Sequence, residues 1–148
     1  MRDLANNTNT VVVVAPVVVT GDTNGTGVDL QGFSSCQLSV STGVEGDTLS
    51  GSVKFEFYLE DSDDNSSFSA VTSNVNTTGK GVDGSGVFLL LDSNGETPQI
   101  TTIGYIGGKR YVRVRIDATG THSNGTPMSI TGVQGNPQDA TDSYSVNT

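Results

Sequence analysis

The sequence predicts an all-β fold, a single antiparallel β-sandwich or barrel of jelly-roll-like type, and three observations lead there. Apolar residues recur at every second position in several segments, the period of a strand with one buried face. Clusters rich in Gly, Asn and Asp separate those segments, as turns between short strands do. No segment of helical length carries a 3.6-residue apolar period, and the abundant Ser, Thr, Asn and Asp compete with helix hydrogen bonding. At 148 residues the chain fits one domain, long enough to bury roughly two-thirds of its unfolded surface without a disulfide or metal.

Residues 1–10 read as a flexible polar N-terminal arm, residues 11–133 as the sandwich, and residues 134–148 as a polar C-terminal tail, mobile or ordered by a partner. Two β-branched runs follow the arm, Val11 to Val14 and Val17 to Thr20, broken by Ala15-Pro16. Proline gives the ladder no donor, so the pair reads as two short strands or one kinked edge strand. After the turn cluster from Gly21 to Gly27, Cys36, Leu38 and Val40 alternate with Gln37 and Ser39. The clearest strand is Val53 to Glu60, with Val53, Phe55, Phe57 and Leu59 on one face and Lys54, Glu56, Tyr58 and Glu60 on the other.

Asp61 to Ser67 reads as a polar turn that returns to the core at Phe68, and Thr72 to Gly86 as a long mobile loop. Val87 to Leu91, apolar on both faces, suits a central strand covered on each side or one covered by a neighbouring subunit. Ile100 to Ile106 leads through Gly107-Gly108 into the alternating strand Tyr111 to Ile116, and Met128 to Val133 forms the last strand.

Acidic residues outnumber basic ones 16 to 7, for a net charge of −9. Binding to phosphates needs clustered Lys and Arg, so neither nucleic acid nor an anionic membrane is an expected partner. The apolar Val11 to Val19 stretch is far shorter than the ~20 residues of a membrane span, and Met1-Arg2-Asp3-Leu4 opens nothing like a secretory leader. The one cysteine, Cys36, can form no internal disulfide and is expected as an inert core thiol.

No catalytic, cofactor or metal residues are assigned. The one histidine, His122, lies in a Gly120 to Gly125 turn and is expected to be solvated. Asp61, Asp63 and Asn65 carry oxygen ligands at EF-hand spacing, but Ser66 and Thr72 stand where that loop needs Gly and Glu. Gly79 to Gly84 spells a dinucleotide fingerprint with a strand after it, where the pyrophosphate needs a helix N-terminus. Carboxylate pairs of glycosidase type find no Trp to stack a sugar.

Four of the seven basic residues cluster at Lys109, Arg110, Arg113 and Arg115. With Val112, Val114 and Ile116 inward, Tyr111, Arg113 and Arg115 line the outer face. They either pair across strands with Glu56 and Glu60 or dock on an acidic protein surface. The candidate protein-interface residues are therefore Val11, Val13, Val17 and Val19 together with Tyr111, Arg113 and Arg115.

Met1 to Leu4 with its Asn-rich arm, Thr26 to Phe33, Leu59 to Phe68 and Ile103 to Val114 resemble small head proteins of tailed bacteriophages. The resemblance spans residues 1–133 and rests on turn and strand signatures; the tail after Val133 departs from it. Such proteins are capsid decoration, or cement, proteins. The resemblance implies a homotrimer on the outer capsid surface of the virion, made in the host cytoplasm, with the major capsid protein as partner and no cofactor. The alternatives are another phage structural subunit, of tail tube or head completion, and then a calcium-dependent carbohydrate-binding module using Asp61, Asp63 and Asn65.

Overall fold

Residues 3–137 are described by a computed structural model. Eleven strands follow one another: β1 (Asn9–Val19), β2 (Thr23–Asn24), β3 (Val28–Asp29), β4 (Phe33–Thr42), β5 (Lys54–Ser62), β6 (Ser69–Ala70), β7 (Thr77–Thr78), β8 (Val87–Leu91), β9 (Gln99–Tyr105), β10 (Tyr111–Thr119) and β11 (Thr126–Pro137). They form two antiparallel sheets, and the chain changes sheet at almost every step. Sheet A has the order β1-β11-β4-β9-β7. In sheet B, β10 and β5 pair centrally; β2 and β3 flank β10, and β6 and β8 flank β5. The expected sandwich is the observed fold.

The inward residues of both sheets meet in one apolar layer. Leu38 and Val40 of β4 and Ile130 of β11 come from sheet A; Phe55, Phe57 and Leu59 of β5 and Val112, Val114 and Ile116 of β10 come from sheet B. All are sealed from solvent, as the alternation of each segment requires. The sheets are stitched at Gly25, whose N–H donates to the Val114 carbonyl while the next N–H, of Thr26, donates to Val13. A Cβ at Gly25 would collide with Val13 Cγ1 and the Val114 oxygen, so only glycine lets the strands approach there.

Of the two readings of the valine runs, the kinked edge strand is the one found: β1 is continuous, with register shifts between Val12 and Val14 and between Val14 and Val17, so the proline bends the strand without ending it. Three expectations are corrected. Val87–Leu91 is an edge strand rather than a central one: it pairs only with β5, and Phe88, Leu89 and Leu91 are buried while Leu90 is exposed. The segment from Thr72 to Gly86 is pinned, because Asn74 Oδ1 accepts the Val82 N–H at 2.7 Å and Val82 is buried. His122 is 4% exposed and stacks on Phe55 at 4.0 Å between ring centroids, its Nε2 3.0 Å from the Thr119 carbonyl. The loop between β10 and β11 folds back over the end of the core, and an imidazole is flat enough to close it.

At the N-terminal end, Asp3 accepts hydrogen bonds from the Asn6 backbone and side chain, which closes a turn before β1. β11 continues beyond Val133 because buried Gln134 is satisfied at both ends of its amide: Oε1 accepts from Asn9, and Nε2 donates to the Asp29 carbonyl. The expected tail thus contributes residues 134–137 to sheet A, and residues 138–148 lie outside the described residues.

Burial also pushes the Cys36 thiol up from 9.0 to about 12. The thiolate that attacks a thiol reagent is accordingly suppressed in the folded protein. Native protein at pH 8 is expected to leave an aromatic disulfide reagent unreacted over minutes, with one thiol released on adding denaturant; rapid titration of the native thiol would contradict this burial.

Candidate functional site

One end of the sandwich is built from three segments distant in sequence: the turn after β3, the turn after β5, and the connection from β9 to β10. Tyr105, inward on β9, crosses the gap between the sheets, and its hydroxyl donates to Asp61 Oδ2 of β5 at 2.8 Å. The Tyr105 hydroxyl oxygen in turn accepts the Lys109 N–H at 3.3 Å. Gly107 lies so close over the Tyr105 ring that a Cβ there would clash with it.

Around this post, charges pair off. Lys109 Nζ meets Asp63 at 2.6 Å, and the Arg110 fork grips Asp29 through two bonds of 2.9 and 2.8 Å. That fork holds the Asp29 carboxyl below its usual 3.8. The Leu30 N–H donates to the Arg110 carbonyl, and Asn65, at a left-handed φ of 58°, fills the space a side chain at Gly27 would need. Between the 30–34 and 105–110 segments lies an open hollow of about 550 Å³, walled by Leu30, Phe33 and Tyr105 and rimmed by exposed Ile106.

The carboxylates of the Asp61–Asn65 turn do not converge on a cation position. Asp61 is held by Tyr105, Asp63 by Lys109, and Asp64 by its own turn, where Oδ1 accepts from the Ser66 and Ser67 amides at 2.9 and 2.7 Å. This corrects the calcium alternative. Among the described residues no three His, Cys, Asp or Glu side chains group as metal ligands, and no helix is long and apolar enough to cross a membrane.

The outer face of sheet B carries the basic stripe. In the β10–β5 register Arg113 stands opposite Glu60, and Arg115 opposite Tyr58, one step along the same face. Glu60 accepts from Arg113 Nε through Oε2 at 2.8 Å and from Arg115 Nε through Oε1 at 2.9 Å. Each guanidinium also lies 4.0 Å over a ring, Arg113 on Phe68 and Arg115 on Tyr58. Glu56, opposite Asp117, pairs with Lys54 instead. The stripe is thus a closed plate of stacked charges on its own sheet, with Arg110 over Tyr111 continuing it.

The valines divide. Val13 and Val19 are buried in the core, so they are not available as interface residues; the bulges of β1 turn them inward. Val11 is half-buried against the same core, and Val17 is exposed. Alternation does not single out exposed Val12, Val18, Ile100 and Ile106, because a strand with two bulges has no constant face to read, and Ile100 and Ile106 flank an otherwise regular alternation.

No protein-family model and no curated protein matches the chain. Among solved structures it is similar to the SPBc2 prophage-derived protein YomS, with a TM-score of 0.44 and 16% identity over 86% of this chain and 92% of that one.

Replacing Glu60 by Ala would leave two adjacent, half-buried guanidiniums facing each other. Urea denaturation is expected to show a loss of about 1–3 kcal/mol, with a smaller loss for Glu60→Gln. Acid should act through the turns. Backbone amides hold the carboxyls of Asp64, from Ser67 and Ser66, and of Asp83, from Val87 and Ser85, below their usual 3.8. A depressed folded value contributes stability above the unfolded pKa that is lost as pH falls through the folded one. The Tm should therefore stay nearly level down to about pH 5 and drop below about pH 4. Asp64→Asn should lower the Tm at pH 7 and flatten that drop.

Proposed function

We propose that the protein is a structural virion component that binds the outer surface of a tailed-phage capsid as a homotrimer and stabilises it, making and breaking no covalent bond. The observation that carries this reading is where the resembling stretches lie. Thr26 to Phe33, Leu59 to Phe68 and Ile103 to Val114 assemble one contiguous end of the sandwich, tied by Asp29–Arg110, Asp61–Tyr105 and Asp63–Lys109. Stretches that served only the core would be apolar and spread along the strands. These are turns, ion pairs and glycines around an open hollow with an exposed aliphatic rim, which suits a rigid docking surface.

A pre-ordered surface of this kind loses little entropy on binding. A single copy offers modest area, so three copies on a shared axis gain from the effective concentration of each further contact. A three-fold arrangement matches the local symmetry of an icosahedral shell.

The test is pelleting with empty shells of the parent phage prepared without this protein. Wild-type chain is expected to sediment with the shells, and Ile106→Asp, with an unchanged circular dichroism spectrum, to lose most of that binding. Folded wild-type protein that stays in the supernatant, or that pellets with tails instead, would overturn the assignment.

A further inference from the structure

The charges of this acidic chain are segregated. None of the five strands of sheet A contains Asp, Glu, Lys or Arg, whereas β3, β5 and β10 of sheet B carry all the strand charges. Many of the outward residues of sheet A are small and polar: Ser39 and Ser41 on β4, Ser129 and Thr131 on β11, Thr102 on β9. In one row of that face, register places Ile100 beside Ser41 and Ser41 beside Ser129. Beyond Ser129 lies a shallow hollow of about 250 Å³, lined by Pro16, Val17, Ser41, Gly43, Pro127 and Ser129.

Large aliphatic groups stand open on both flanks of these serines. Ile100 is 73% exposed on one side; Val17 and Val18 are 51% and 50% exposed on the other. Among the described residues nothing covers them. β1 is also the edge of the sheet, and Lys, the usual guard of such an edge, is absent from it.

From this we infer that the Pro16–Ile100 end of sheet A is the surface by which copies of this chain bind one another, Ile100 of one copy entering the Val17 hollow of the next. The inference rests on the self-association half of the proposed function and specifies its contact. The occupant follows from charge. With a net −9, two copies repel wherever their acids face, and this uncharged sheet is where they can approach. A charged partner would find nothing there to pair with. Acids in the loops that flank this end are already engaged, Glu45 with Thr97, Glu96 with the Asp92 and Ser93 amides, and Asp47 with the Gly125 amide. The knob and the hollow are different parts of one face, so the contact is heterologous, and such a contact closes into a ring when the rotation between copies divides the full turn.

Sedimentation velocity with light scattering tests this on the full chain. Wild type should form a closed oligomer of three that tightens with salt. Val17→Glu and Ile100→Lys should each weaken association by about tenfold or more, with unchanged circular dichroism and Tm. The double variant Val17→Glu/Ile100→Lys should regain it, because the new charges face each other across copies. Ile106→Asp, at the other end of the sandwich, should leave the oligomer intact. If wild type is monomeric at all concentrations, both this inference and the homotrimer fall. If wild type is trimeric while Val17→Glu and Ile100→Lys leave it unchanged, this surface is wrong and the homotrimer stands.

Discussion

The structure depends on one dry layer, the interface at which the inward residues of β5 and β10 face those of β4 and β11. With few charges and no disulfide, the chain has no other large source of stability, so each strand must present its apolar side to that layer without slipping by a residue. Phe55, Phe57 and Leu59 satisfy this on β5, and Val112, Val114 and Ile116 on the strand beside it. The same constraint places Glu60 opposite Arg113 on the other side of the sheet. The outer plate is a consequence of the inner layer.

Legibility in the sequence follows from this. Where a strand has one buried face and no bulge, as in β4, β5 and β10, alternation gives both its existence and its orientation. Where backbone irregularity breaks the period, as in β1, the strand is legible but its buried valines are not: Val13 sits at a shift in register, and Val17, in register with buried Met128 as Val19 is with buried Thr126, is nonetheless exposed. Turn segments are less legible still. His122 looks like a solvated turn residue, and only the folding of its loop across Phe55 buries it. Nor does composition reveal that Thr72–Gly86 is fixed by the amide of Asn74.

The candidate site divides in the same way. The cross-strand pairing of Arg113 and Arg115 with Glu60 follows from strand register, which alternation supplies. The Asp61–Tyr105 bond joins the two sheets and could not be read from the chain, because it depends on how the sheets are stacked. Carboxylates at EF-hand spacing show why spacing alone misleads: in an antiparallel hairpin, neighbours two apart share a face but find different partners across the gap.

The division of charge between the sheets gives the two faces different physical uses. Sheet B holds its charges in closed pairs and stacks, an arrangement that stiffens a surface while leaving little free charge to attract a partner. Sheet A offers neutral hydroxyls around exposed aliphatic groups, so covering it involves no desolvation of ions. An acidic protein that must crowd against its own copies gains from keeping one face of this kind, since like-charge repulsion would otherwise oppose each added subunit. The sandwich end, with its ion-paired base and aliphatic rim, then remains free to meet a different surface. On the proposed reading, self-contact and docking would be separated in space, and a change in one need not disturb the other.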